Sequence, residues 1–348
     1  MSESGHRATL WGVEAISFEQ LDAAAGAFDA EVAASGDLDR FCSSTAWVVP
    51  AALALPPRGA PFVRRGAHGW LALARREEPT VTVLSPLEAM WGLACPLVGG
   101  GDDPVAIARA AAEAAEVLDA EAPSALIALS GLYAGTARFS AIGRALGRDR
   151  GLRLGPPTGR RIASLAGGVD GFLARRSSGF RTALRRSDRR ARDEGVTFIA
   201  PPLDDVRALY ERILAIEDRS WKGQDGVGFA HSEMREFYAE MLPRLAARGA
   251  LRVLLALDRD RRDLGFIFGG LFGPPGAVTY RGLQFSFARG LEALALGNLL
   301  QLRMIERLCD EGVAEYDLGT DVEYKLRWGE ITRESVMLIA LPRRGKSR

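Results

Sequence analysis

The 348-residue sequence has almost no lysine. Of its 45 basic side chains, 42 are arginines and only Lys222, Lys325 and Lys346 are lysines. There is one asparagine, Asn298, and three histidines, His6, His68 and His231, stand far apart. Isolated histidines do not make a metal site, and no HExxH pair is present, so no metal is expected. Three cysteines, Cys42, Cys95 and Cys309, form no CxxC spacing, which excludes a zinc knuckle and a disulfide framework. Cys309 falls mid-helix beside Leu308 and suits a small buried hydrophobe. Neither a GxxxxGK[ST] phosphate loop nor a GxSxG elbow occurs. Charge of one sign does not dominate: 45 basic against 44 acidic residues leaves +1, so a globally basic nucleic-acid binder is not expected. The longest uncharged runs, 42–57 and 264–280, are short and contain Pro or Gly, so no transmembrane segment is expected. The stretch from Met1 to Arg7 is polar and no apolar run follows it, so a cytoplasmic protein without a secretory signal is the expectation.

What is present is ordinary globular composition, 47% hydrophobic and 26% charged, at a length that favours two domains. We place them at 1–155 and 156–348, with the Gly-, Pro- and Arg-rich stretch 151–161 as the joint. In the first half, helical spacing covers 18–34, and strands are expected at 60–64 and 69–75. A short strand at 81–84 precedes a helix over 103–118, opened by Asp103 as N-cap and Pro104 at the first helical position. A strand at 125–129 and a helix at 138–146 follow. No internal repeat of short fixed period appears.

The second half reads more sharply. Helices are expected over 169–176, 179–194, 203–219 and 232–248, with a strand at 197–200. Strands at 251–257, 264–272 and 278–285 are joined by a charged turn and by the Gly273–Gly276 turn. A helix over 298–311 is stopped by Gly312, and strands at 314–318 and 336–341 complete the chain. Three antiparallel strands followed by a crossover helix and a fourth, parallel strand is the element order of the GNAT acyltransferase core.

Particular residues add to that order. Phe180–Gly195, Trp221-Lys222, Gly297-Asn298 at a helix start, Tyr316–Gly319 and Tyr324-Lys325 resemble the CelD/FemAB-like acetyltransferases. The first half adds Phe41–Ser44 with Trp47, and Pro96-Leu97. The resemblance implies an α/β (α+β) chain of two tandem GNAT-like domains, each a mixed sheet flanked by helices. It implies an acyl donor, commonly acyl-CoA, in a groove where the third and last core strands splay. In Fem-type relatives aminoacyl-tRNA replaces it. The acceptor would be an amine of a small molecule, sugar or peptide, and a homodimer is a possible assembly.

Candidate residues follow from what acyl transfer needs: a deprotonated amine, an oxyanion donor and an acid for the leaving thiolate. As catalytic residues we consider Asp317, Tyr324, Lys325 and Glu217. For the donor we consider Gln284, Phe285, Ser286, Arg289, Gly290, Gly297 and Asn298, the last four because a glycine-containing loop before a helix N-terminus can hold a pyrophosphate. The usual GNAT spacing of Arg or Gln and glycines is not kept, since Gly290 follows Arg289 at once. For the acceptor we consider Trp221, Lys222, Tyr280, Arg281 and Asp321. Plainer readings stand beside these. Asn298 could cap a helix, the acids could form a solvated face, Tyr324 could pack in the core, and Trp221 could anchor a loop. Eight arginines between Arg175 and Arg192 could meet tRNA, a polyanion or an anionic membrane, or form a solvated helix face with Phe180, Leu184 and Ala191 turned inward. The third possibility for the whole chain is a non-catalytic GNAT relative that binds or scaffolds.

Overall fold

The computed structural model describes residues 12–343; the expectations resting on His6, Lys346 and the first residues lie outside them. The chain forms two compact units, one of the residues up to Thr158 together with those from Glu334 on, the other of Gly159–Arg333. The division is not linear in sequence, because the last strand returns to the first unit.

In the first unit the chain runs β1 (Glu14–Ile16), α1 (Phe18–Ala23), α2 (Ala25–Ala34), α3 (Thr45–Ala54), β2 (Ala60–Arg65), β3 (Trp70–Glu77), β4 (Thr82–Pro86) and β5 (Leu97–Val98). It continues through α4 (Pro104–Glu121), β6 (Leu126–Leu132), α5 (Ala137–Leu146) and β7 (Leu152–Leu154). The second unit comprises β8 (Thr158–Ser164), α6 (Gly168–Ala174), α7 (Ser178–Asp193), β9 (Thr197–Ile199), α8 (Val206–Asp218), α9 (Trp221–Gln224), α10 (Met234–Ala247), β10 (Leu251–Leu257) and β11 (Asp263–Phe272). It ends with β12 (Thr279–Phe287), α11 (Leu296–Asp310), β13 (Glu315–Thr320) and a 3-10 turn, Glu323–Arg327, before β14 (Ile331–Ala340).

Local chemistry explains the boundaries. Asp103 accepts the Val105 amide ahead of Pro104, Ser177 accepts Phe180, and Asp205 accepts Ala208, each meeting an orphan helix donor. α7 turns Leu184 and Ala191 inward and leaves its arginines outside, the plain reading of its pattern. The stretch expected as a joint holds β7 and the start of β8 instead: short polar strands carry no strong alternation and take their place from their partners. α3 contains Pro50 and is buried on nearly every side, so it shows no amphipathic period to read.

Each unit repeats one topology. In the second, β9 pairs antiparallel with β10, which continues into the antiparallel β11 and β12. The chain then crosses through α11 to β13, parallel to β12. In the first, β1 pairs with β2, β2 with β3 and β3 with β4, all antiparallel, and α4 leads to β6, parallel to β4. The strand beyond β6 is β14, which also pairs with β7; the strand beyond β13 is β8. Both units are therefore GNAT-like mixed sheets flanked by helices. The repeat is one of topology, about half the chain long, and leaves no short sequence period.

The second unit's core gathers α11 (Leu299, Leu300, Met304, Ile305, Leu308), Leu184 of α7 and Phe172 of α6 against Ile267, Tyr280 and Tyr316. Trp328 is buried there, stacked on Phe172 and met edge-on by Phe180.

Candidate functional site

The groove begins where two parallel strands stop pairing. β12 and β13 are in register only from Thr279 with Glu315 to Arg281 with Asp317. One residue later β12 carries a bulge: Gly282 pairs with Gly269 and Gln284 with Phe268, so Leu283 has no partner on β11. A bulge bends its strand and raises its twist, and here it steers β12 away from β13. The opening holds a cavity of about 260 Å³, lined by Gly282–Phe287 of β12, Tyr316 and Leu318 of β13, Gln301 of α11, Ile267 of β11, Trp221 and Lys222 of α9, and Tyr324 and Lys325.

Two of the three lysines of the chain line this one cavity. Lys222 donates its ammonium to the Phe285 carbonyl at 3.1 Å and lies 5.6 Å from the Phe285 ring. Burial pulls its pKa below the usual lysine value, against the attraction of Glu217. Lys325 donates to the Thr320 carbonyl at 2.7 Å. Burial lowers its pKa to about 8, with Asp317 and Asp321 opposing and Arg281 adding to the fall. Among the described residues neither lysine stands in an ion pair. Tyr324 is half-exposed, edge-on to Phe285 at 6.3 Å, and burial of its phenol raises its pKa, so it holds its proton.

Gly297 lets α11 approach β12: a Cβ there would stand 2.9 Å from Phe285 Cε2. Gln284 donates to the Tyr238 hydroxyl of α10 at 3.1 Å. Because strand side chains alternate, α11 and α10 lie on opposite faces of β12. α11 starts at a left-handed Ala295 (φ 51°) with no side-chain cap; Asn298 lies inside the first turn and does not cap the helix.

Other sequence candidates stand away from the cavity. Asp317 is fully buried, holds Arg160 and Arg281 (3.0 Å) and accepts the Gly319 amide at 2.8 Å. With its oxygens so occupied it is a structural ion-pair centre, not an accessible base, and Arg281 is its partner rather than an acceptor ligand. Tyr280 is fully buried in the core against Tyr316. Asp321 is held by Arg161 through two bonds of 3.1 and 2.6 Å. Arg289 is exposed and donates to Gln224 and Asp225, while the Gly290 amide donates to Glu292. Glu217 is fully buried under the 223–228 loop, with Ser220 on Oε2 and no hydrogen-bond partner on Oε1. Sequence reasoning passed over Gln301, which hydrogen-bonds the Tyr316 hydroxyl at the apex of the groove. A polar residue on the buried side of an otherwise apolar helix was its one signal.

The first unit closes the equivalent opening. β4 and β6 pair only at Val83 with Leu126 and Leu84 with Ile127, as short a contact as that of β12 and β13. Where β12 has a single bulged residue, the chain leaves β4 at Pro86 and rejoins β3 through β5 at Leu97. The excursion 87–96 lies against β6. Gly131 donates to the Gly92 carbonyl, Ser130 to the Ala94 carbonyl, and a Cβ on Gly131 would stand 2.4 Å from the Leu93 carbonyl oxygen. Glu88 accepts the amides of Trp91 and Leu93. The first-half motif residues hold this plug: Ser43 accepts the Cys95 amide, Trp47 packs on Trp91, and the Pro96 carbonyl accepts Ala72.

Comparison with known proteins agrees with this topology. Residues 178–326, all within the second unit, match the acetyltransferase (GNAT) domain family. Over nearly its whole length the chain shares its fold with FemX, at 14% identity, covering 93% of this chain and 96% of that one with a TM-score of 0.62. A conserved protein of unknown function from Bacteroides thetaiotaomicron (12% identity, 95% and 100% covered, TM-score 0.56) has the same fold. So does the C-terminal domain of a putative lysylphosphatidylglycerol synthetase from Agrobacterium fabrum (14% identity, 90% and 91% covered, TM-score 0.55). No curated protein sequence matches. A GNAT domain match in the second unit and a fold shared with FemX over nearly the whole chain are what the comparisons show. Among the described residues no helix is long and apolar enough to cross a membrane, and no cluster of His, Cys, Asp or Glu could hold a metal ion.

Proposed function

We propose that the groove between β12 and β13 binds an acyl-CoA thioester and transfers its acyl group to a primary amine. The observation that carries this is the open splay, with one strand edge of each partner unpaired beyond Arg281 and Asp317. An extended thioester arm can hydrogen-bond to such edges as a strand would. The donor's phosphates would meet the start of α11, whose amides no side chain caps. The amine would come from the opposite face, past Trp221 and Lys222.

In this reading the amine nitrogen attacks the carbonyl carbon, the C–N bond forms and the C–S bond breaks. Neutral Lys325, available because burial lowers its pKa to about 8, takes the amine proton. Tyr324, whose phenol stays protonated, gives a proton to the leaving thiolate, and solvent returns the balance between them. A base with a pKa near working pH is the efficient choice.

A second reading has its own observation. Arg185, Arg186 and Arg189 are exposed on α7, and their neighbour Arg190 donates to the Ala293 carbonyl of the loop preceding α11. This basic face beside the donor's anionic end suits an aminoacyl-tRNA. Thermal stability against CoA, acetyl-CoA, longer acyl-CoAs and aminoacyl-tRNA separates the two. A ligand at ~100 Kd adds ~2.7 kcal/mol. A shift with a CoA species is expected; a shift with charged tRNA alone transfers the reaction to the second reading, and silence from every donor leaves a binding protein.

A further inference from the structure

Scattered exposed hydrophobic residues are ordinary on a protein surface; a cluster of them marks a contact. In the first unit the exposed large hydrophobics, Leu53, Met90, Val105 and Leu154, lie on four separate segments. In the described second unit all five lie on two: Trp221 (46%) and Val227 (67%) on one, Val322 (45%), Tyr324 (41%) and Leu326 (54%) on the other. These two segments flank the groove, and Trp221 and Tyr324 are part of its lining.

Both segments are held in place. Ser220 accepts the Gly223 amide and bridges to Ala288 at the end of β12, fixing the start of α9. Lys222 also receives the loop's returning turn, its carbonyl accepting the amides of Val227 and Gly228. On the other side the Val322 carbonyl accepts Lys325, and the 3-10 turn ends at the buried Trp328. Trp221, Tyr324 and Leu326 are thus presented by short anchored helical turns, and Val227 and Val322 by the loop residues next to them. Gln224, Asp225, Asp321, Glu323 and Arg327 are exposed on the same segments, but Arg289 occupies Gln224 and Asp225, and Arg161 occupies Asp321.

We infer that the acceptor carries an apolar chain next to its amine, which the collar of Trp221, Val227, Val322, Tyr324 and Leu326 covers while the amine enters the groove. The inference rests on the acyltransferase reading for its word acceptor, but the collar's preference is a binding property that can be measured alone. Burying a methylene contributes about 0.8 kcal/mol, roughly a fourfold change in affinity.

The test is calorimetric binding of butylamine, hexylamine and octylamine to the full chain, with glucosamine as the polar amine. Affinity is expected to rise about fourfold per methylene along the series, with glucosamine the weakest. The double variant Val227→Ser, Leu326→Ser replaces two exposed side chains, so its melting temperature should match the parent while the dependence on chain length flattens. Equal binding of butylamine and octylamine, tighter binding of glucosamine, or an unchanged slope in the variant overturns the inference. Donor titration is run on the same preparation: a donor that binds alongside a flat amine series defeats the collar alone. A steep series with no donor bound defeats the acyl-transfer reading and leaves an apolar-ligand site.

Discussion

At the scale of single residues, the few lysines and one acid decide how the site is read. Lys325 has a pKa lowered to about 8 by burial, so between about pH 8 and the ordinary lysine value the unfolded chain binds more protons than the folded one. Stability from this group therefore rises with pH through that window, and its charged form is a cost below it. Lys325→Met should raise the melting temperature at pH 7 and have little effect at pH 10.5. The rate kcat/KM should climb as pH passes 8 in the parent, and Lys325→Arg, which stays charged, should lose both the climb and the activity; a flat profile would remove Lys325 as the base. Asp317 makes the opposite case. Removing one member of a buried charge network leaves the others uncompensated, typically costing 3–5 kcal/mol. Asp317→Asn should show that order of loss in chemical denaturation. A variant that folds normally and loses only kcat would restore Asp317 to the chemistry.

At the scale of elements, α7 shows how a strong charge pattern divides into structure and surface. Arg181 donates to the Leu173 and Arg176 carbonyls, Arg192 pairs with Asp188, and Arg176, which precedes the helix, pairs with Glu330. Arg185, Arg186 and Arg189 remain exposed. Changing these three to Glu leaves Leu184 and Ala191 in the core, so stability should move by no more than about 0.5 kcal/mol per substitution. Activity with an acyl-CoA should survive, whereas activity with aminoacyl-tRNA should collapse, and its salt dependence with it. Assays with both donors distinguish the outcomes. The bulge at Leu283 and the excursion 87–96 are the same kind of event at different lengths, an interruption of the third core strand, and they produce an open groove in one unit and a filled one in the other.

At the scale of the whole chain, the two units share a topology but not an opening. Filling the first groove would require moving a segment held by Gly131, Ser130, Ser43 and the Trp47–Trp91 contact. We therefore expect one donor per chain by calorimetry. A stoichiometry of two would show that the excursion leaves β6 in solution.

The order of strands and helices in the second half was legible because amphipathic periods, caps and Gly-Pro turns are local. β10 runs over the expected Leu251–Leu257, and α7 and α11 begin and end within two residues of expectation. Trp221, Lys222, Gln284, Phe285, Ser286, Tyr324 and Lys325 all line the groove; the rarity of lysine singled out two of them. Asp317, Tyr280 and Arg281 could not be sorted the same way. A strand's alternation says that neighbours face opposite sides, not which side holds a cavity, and an acid beside a strand end looks the same whether solvent or two guanidinium groups surround it. The return of β14 to the first unit and the closing of that unit's groove are likewise contacts between residues far apart in sequence. The sequence alone determined which elements form and which chemical groups they carry. Only the tertiary structure decided which of those groups meet and which groove stays open, because pairing register and burial belong to the partners an element finds and not to the element itself.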